Sequence, residues 1–196
     1  MGLILATLVG TVALARLLGG RFSELEHLPV RGWPLLAGML GSLWLGAGAP
    51  SAGLPAAMHW LGLLAAASCA LLYCVRNRAV HGMGLVGAGL LLNAVVIGVN
   101  GGMPVSAVAS ARVGVSHAAA VADHQHVPAG PGTSLSWLGD VIPVPLPLRP
   151  EVASVGDVLV AAGLVQLLAT GMFRPAGRRP RTTLGARTTL DAGSGR

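Results

Sequence analysis

The residues of this chain best able to do chemistry lie in its second half. Asp140 and Asp157 each follow a glycine, in Leu138-Gly139-Asp140-Val141-Ile142-Pro143 and in Ser154-Val155-Gly156-Asp157. Two carboxylates of the same local type can divide their labour if they meet. One is held protonated while the other stays ionised, an arrangement that serves acid/base hydrolysis or the binding of a proton or cation. A third polar point, Asn100-Gly101-Gly102-Met103-Pro104-Val105-Ser106, offers an amide, a hydroxyl and open backbone donors. The candidate catalytic residues are therefore Asp140 and Asp157. The candidate binding set is Asn100, Gly101, Gly102, Met103, Pro104, Ser106, Asp140, Ser154 and Asp157.

Each of these residues also has a local explanation. Asn100-Gly101-Gly102 is what a helix C-terminus uses, residues tolerant of left-handed backbone. Ser154 with Asp157 matches a capping box, and a carboxylate suits the positive end of a helix. Asp140 can make a turn ahead of the prolines. A second cluster, His117, Asp123, His124 and His126, holds ligand types for zinc or copper. Its Ala/Val/Gly/Pro surroundings and irregular spacing favour a solvated loop, so no metal and no cofactor is expected.

The elements that must position these groups follow from composition. Of 196 residues, 53% are hydrophobic and 10% charged, with a mean hydropathy of +0.70; soluble domains carry about 25% charged residues. Long apolar runs separate short charged islands, and a hydrocarbon core about 30 Å thick needs roughly 20 apolar residues per helix. The expected fold is all-α: a polytopic transmembrane bundle of five helices at about 2–18, 33–49, 55–73, 80–99 and 155–173. Residues 100–153 are expected to form a long external Gly/Pro-rich loop, and 174–196 a disordered tail beyond the membrane domain of residues 1–173. The run Val141–Leu148, with alternate prolines, must be extended. It is too apolar to be left in water, so it should lie over the mouth of the bundle. The first apolar run ends in Ala13-Leu14-Ala15, which imitates a leader cleavage site, yet no basic residue precedes Arg16, as a leader would require. It is read as a helix.

All thirteen basic residues are arginine. Arg16, Arg21, Arg31, Arg76, Arg78 and six tail arginines fall on one side of this topology, and Arg112 and Arg149 on the other. Basic residues stay in the cytoplasm, so the N-terminus is placed outside and the C-terminus inside the bacterial cytoplasmic membrane. The net charge of +6 then points to anionic lipid headgroups at the tail and not to nucleic acid. Trp33, Trp44, Trp60 and Tyr73 lie near helix ends, where an aromatic belt belongs. Gly38, Ser42 and Gly46, and Gly84 with Ala88, should allow close helix approach. Asn93, inside the fourth helix, needs an interhelical partner. Cys69 and Cys74 turn to different faces and are read as small apolar residues.

Asn100-Gly101-Gly102-Met103-Pro104-Val105, Leu138-Gly139-Asp140-Val141-Ile142-Pro143 and Ser154-Val155-Gly156-Asp157-Val158-Leu159 together resemble a bacterial family, domain-of-unknown-function family 5317, best represented in actinobacteria. The resemblance covers about residues 1–173. It implies a multispanning membrane protein and no particular activity. A weaker likeness is to lipoprotein signal peptidase, a membrane aspartyl protease, with Asn100, Asp140 and Asp157 in comparable places. The Asn-Arg segment before that family's first aspartate is missing here, its last motif is altered and its helix count differs.

Three classes of function remain. In order of preference they are a non-enzymatic carrier or binder of a lipid or small solute at the outer face, an aspartyl-type hydrolase using Asp140 and Asp157, and an accessory membrane subunit.

Overall fold

A computed structural model describes residues 2–48, 56–122, 125–147 and 150–173. The tail (174–196), residues 49–55, Asp123 and His124 of the histidine cluster, and Leu148 and Arg149 lie outside the described residues.

Each apolar run is helical: α1 (Gly2–Leu17), α2 (Trp33–Gly48), α3 (Ala56–Arg76), α4 (Met83–Asn100) and α7 (Val155–Met172). Two of them, α4 and α7, are long and apolar enough to cross a membrane. The other three include shorter apolar stretches. The helices pack as a row, α2 on α3, α3 on α4, α4 on α7 and α7 on α1. A row buries little of each helix, and many large apolar side chains are left exposed, among them Leu5, Val9, Leu40, Trp44, Leu64 and Leu91.

Small residues make two of these contacts possible. A Cβ added at Gly62 of α3 would come within 2.6 Å of the Gly46 Cα, so α2 and α3 touch along the Gly38-Ser42-Gly46 stripe. In the α4–α7 contact, a Cβ at Gly156 would meet the Gly89 carbonyl oxygen at 2.7 Å, and one at Gly163 the Gly82 oxygen at 2.6 Å. Gly84 differs from expectation. It faces open space, because the side of α4 that meets α7 is the one carrying Gly82 and Gly89.

The two ends of the helices differ in chemistry. At one end, the Arg16 guanidinium donates to the Gly20 carbonyl and stacks over Phe22, and the Arg21 N–H donates to the Met172 carbonyl. The Asn77 side chain there donates to the Arg31 and Tyr73 carbonyls and accepts from the Arg31 N–H. At the other end, the Gly2 and Leu3 N–H groups donate to the Glu151 carboxylate, which meets the unpaired donors opening α1.

The major departure from the sequence reading lies at this second end, for the fold is not all-α. Residues 100–153 are not one loop but contain a four-stranded mixed sheet: β1 (Met103–Val105), β2 (His126–Pro128), β3 (Asp140–Val144) and β4 (Glu151–Ser154), in the order β2-β1-β3-β4. β1 is parallel to β2 and β3, and β3 is antiparallel to β4. Two short helices, α5 (Ala107–Arg112) and α6 (His117–Ala120), fill the crossover from β1 to β2. Val141–Val144 of the proline run are extended, as the composition requires, and fall in β3; Leu148, at the end of the run, lies outside the described residues. Strands of three to five residues are too short to show an alternating pattern, and parallel neighbours cannot be joined by a recognisable hairpin turn. Val96, Met103 and Leu138 form the small core that seats the sheet on α4.

Candidate functional site

The site is assembled where the sheet meets α4 and α7. Ser154 ends β4 and begins α7, and its hydroxyl accepts from the Asp157 N–H at 3.0 Å. The Asp157 carboxylate returns the bond by accepting from the Ser154 N–H at 3.2 Å. This is a full capping box. A third member joins it from α4. The Asn93 amide donates to Asp157 Oδ1 at 2.9 Å, and the Ser154 hydroxyl donates to Asn93 Oδ1 at 2.9 Å. Asn93 thus has its interhelical partner, and that partner is one of the candidate carboxylates.

Asp140 opens β3 directly across the ladder from Ser154. It is 5% exposed, and its carboxylate lies 3.4 Å from His126 Nε2. Burial, then the neighbouring Asp157 charge, raise its pKa from the ordinary carboxylate range to about 7; His126 opposes the shift. Asp140 therefore carries a proton through mildly acidic conditions while Asp157 sits among hydrogen-bond donors. Glu151, at the far end of β4, moves the other way. Burial raises it, but the Leu3 and Gly2 N–H donors and the chain's amino terminus outweigh burial and hold it below the usual range.

The remaining candidates divide into frame and periphery. Asn100 ends α4, donates to the Val96 and Ser134 carbonyls and accepts from the Ser134 N–H. Gly101 is the left-handed residue that closes the helix, with φ 72°. Gly102 packs against Val127, and Met103 and Pro104 are buried in β1. Ser106 caps α5 through its hydroxyl, and its N–H donates to the Asp140 carbonyl. His117 opens α6, and its Nδ1 is buried with no hydrogen-bond partner among the described residues. His126 pairs with Asp140, and two other members of its expected cluster, Asp123 and His124, lie outside the described residues. Among the described residues no group of three or more His, Cys, Asp or Glu side chains could hold a metal ion.

Beside this network lies a feature that sequence reasoning missed, a cavity of about 570 Å³ between α2, α3 and α4. Met39, Leu43, Trp60, Leu64, Ala70, Leu90 and Ile97 are among its apolar lining residues, and Asn93 and Gln125 are its amide side chains. The signal in the sequence was the run of small residues on α3, Ala66, Ala67 and Ala70, facing Ala94 and Gly98 of α4; small side chains on both walls leave a gap. One lining residue belongs to the acid network and a second adjoins it in the chain. Asn93 bonds Asp157, and Gln125 precedes the His126 that pairs with Asp140.

Compared with known proteins, residues 32–169 match the family of unknown function DUF5317. The chain belongs to this family. The matched stretch runs from the start of α2 almost to the end of α7, so the cavity, the sheet and the Asn93–Ser154–Asp157 network all fall inside the DUF5317 region. α1 and the arginine-rich tail lie outside it. No curated protein and no solved structure matches the chain.

Proposed function

We propose that this DUF5317 protein is a five-span protein of the bacterial cytoplasmic membrane that binds an apolar or amphiphilic ligand without transforming it. The carrying observation is the cavity between α2, α3 and α4. Its size falls within the range of about 300–1,000 Å³ common to small-ligand sites, and its apolar walls with few polar groups suit them too. A spanning arrangement is supported by the exposed apolar helix surface, by the arginines at one end and by the sheet at the other. On that reading the arginine end is cytoplasmic, the basic tail meets anionic headgroups, and the sheet forms the outer face. The 16-residue helices α1 and α2 would extend about 24 Å, slightly less than the hydrocarbon core, a mismatch that membranes absorb by thinning.

The test uses protein held in amphipol, free of micelles, and the neutral fluorophore N-phenyl-1-naphthylamine. Wild type should bind it and unfold at a higher temperature; at a ligand excess of about 100 Kd the gain is about 2.7 kcal/mol. Ala94→Phe, which fills the cavity from the α4 side, should lose the gain. Equal binding by both proteins would sink the reading.

One arrangement favours a second reading, aspartyl-type hydrolysis: Asp140 lies across the ladder from Ser154 of the Asp157 cap, where burial and the Asp157 charge raise its pKa to about 7. Two observations weigh against it. The Asp157 carboxylate is engaged by Ser154 and Asn93, and neither aspartate lines the cavity. Hydrolysis of a membrane-resident ester or peptide that is abolished by Asp157→Asn would move this reading to first place.

A further inference from the structure

The cavity's position in the row narrows its ligand to one chemical class. Its lining on α4 and on the residue that closes it runs from Leu90 to Gly101, eleven residue steps and hence about 16 Å along the helix axis at 1.5 Å per residue. That is close to half of a hydrocarbon core about 30 Å thick. The lining thus begins near the middle of the helix and stops where the sheet begins.

Polarity changes along this length. The deepest lining residues, Met39, Ala70 and Leu90, carry no hydrogen-bonding side-chain group, whereas Gln125 and the Gly101 backbone lie at the sheet end. Asn93 stands between, with its amide already committed to Asp157 and Ser154. Among the described residues no charged side chain lines the cavity.

The opening is sideways. Leu64, which lines the cavity, is 65% exposed, and Leu43 and Trp60 are 40% and 37% exposed. They continue into the apolar surface of α2 and α3 that carries Leu40, Trp44 and Leu61. A ligand therefore reaches the cavity across an apolar flank, while the exposed Gly101 and Gln125 leave its sheet end open to water. A water-soluble solute would have to leave water to reach that flank, whereas a lipid chain is already there.

We propose that the cavity holds a single hydrocarbon chain of a lipid from the outer leaflet, its terminus near Leu90 and its headgroup beside Gly101 and Gln125 under the edge of the sheet. This rests on the membrane-embedded binding reading above and deepens it. The match between a leaflet's thickness and the cavity's length explains why a full-length chain fits.

Photolabelling of the wild-type chain tests the geometry without relying on any variant. The protein is reconstituted in phosphatidylglycerol vesicles containing a phosphatidylglycerol with a diazirine either at the chain terminus or next to the glycerol. Terminal diazirine should label Met39, Ala70 and Leu90; the glycerol-proximal one should label Gly101 and Gln125. Ala67→Phe and Ala94→Phe should each cut that labelling at least tenfold, while Leu91→Phe, outside the cavity on the exposed side of α4, should leave it unchanged. Labels confined to exposed residues such as Leu5, Leu40 and Leu91 would overturn the proposal. If N-phenyl-1-naphthylamine still binds in an Ala94-dependent way, the binding reading survives and only the lipid assignment falls. If the fluorophore fails as well, both fall.

Discussion

The Asn93 amide, in the third turn of α4, donates to the Asp157 carboxylate in the first turn of α7 at 2.9 Å, and the Asn93 oxygen accepts from Ser154 at the same distance. One amide thereby uses its donor and its acceptor on the two partners of a capping box. The α4–α7 contact, built on glycines that let the helices approach, is locked at its sheet end by this three-residue ring.

The ring predicts opposite outcomes for the two aspartates. Asp157→Ala removes a cap, worth about 1 kcal/mol, and leaves the Asn93 amide short of a partner, a further 1–3 kcal/mol by the usual cost of an orphaned buried group, roughly. Its unfolding temperature in detergent should fall clearly. The double variant with Asn93→Ala should lose less than the sum of the two singles, with a coupling of at least about 0.5 kcal/mol. Additive losses would show that the ring is not a unit.

Asp140→Asn should stabilise the protein, and more so as pH rises. The folded-state pKa of about 7 lies above the ordinary value of 3.8, so between these values the folded chain keeps a proton that the unfolded chain has lost. Stability contributed by Asp140 is present in full below about pH 4, declines as pH climbs towards 7 and is gone above it. About three pH units at roughly 1.4 kcal/mol each amount to something on the order of 4 kcal/mol. Thermal unfolding of wild type and Asp140→Asn at pH 5 and pH 8 should show a wild-type decline that the variant lacks. Parallel curves would contradict the assignment.

Gly156→Ala and Gly84→Ala separate close approach from helix propensity. At Gly156 a methyl group would collide with Asn93 Oδ1 and the Gly89 carbonyl, whereas at Gly84 it meets nothing within 4 Å. The first should destabilise by about 1–3 kcal/mol, the usual cost of overpacking. The second should gain up to about 1 kcal/mol from removing a helical glycine. Chemical or thermal unfolding of the two variants reads the difference directly.

Orientation is open to labelling in intact cells. In a background with Cys69→Ala and Cys74→Ala, Ala118→Cys on α6 should react with a membrane-impermeant maleimide. Arg78→Cys, at the arginine end, should react only after the cells are permeabilised. The reverse pattern would invert the proposed topology, and labelling of both in intact cells would argue against any membrane crossing between them.

Much was legible in the residues themselves. Apolar runs bounded by arginine, proline and glycine mark where helices start and stop, because hydrophobicity and backbone preference act locally. The Ser154–Asp157 cap and the Asn100-Gly101 helix end were readable for the same reason, as was the need of Asn93 for a partner. Proline alternation in 141–148 dictated an extended backbone without saying what it would pair with. Only the tertiary structure decided that pairing, since β1, β2 and β3 come together across separations no short-range pattern encodes. It likewise chose the Gly82–Gly89 face of α4 over the Gly84 face, set His126 against Asp140, and opened a cavity between small residues on two helices. Local preferences act between neighbours in the chain and are written in it. Burial, charge proximity and empty volume exist only between segments, and they appear when the segments are packed.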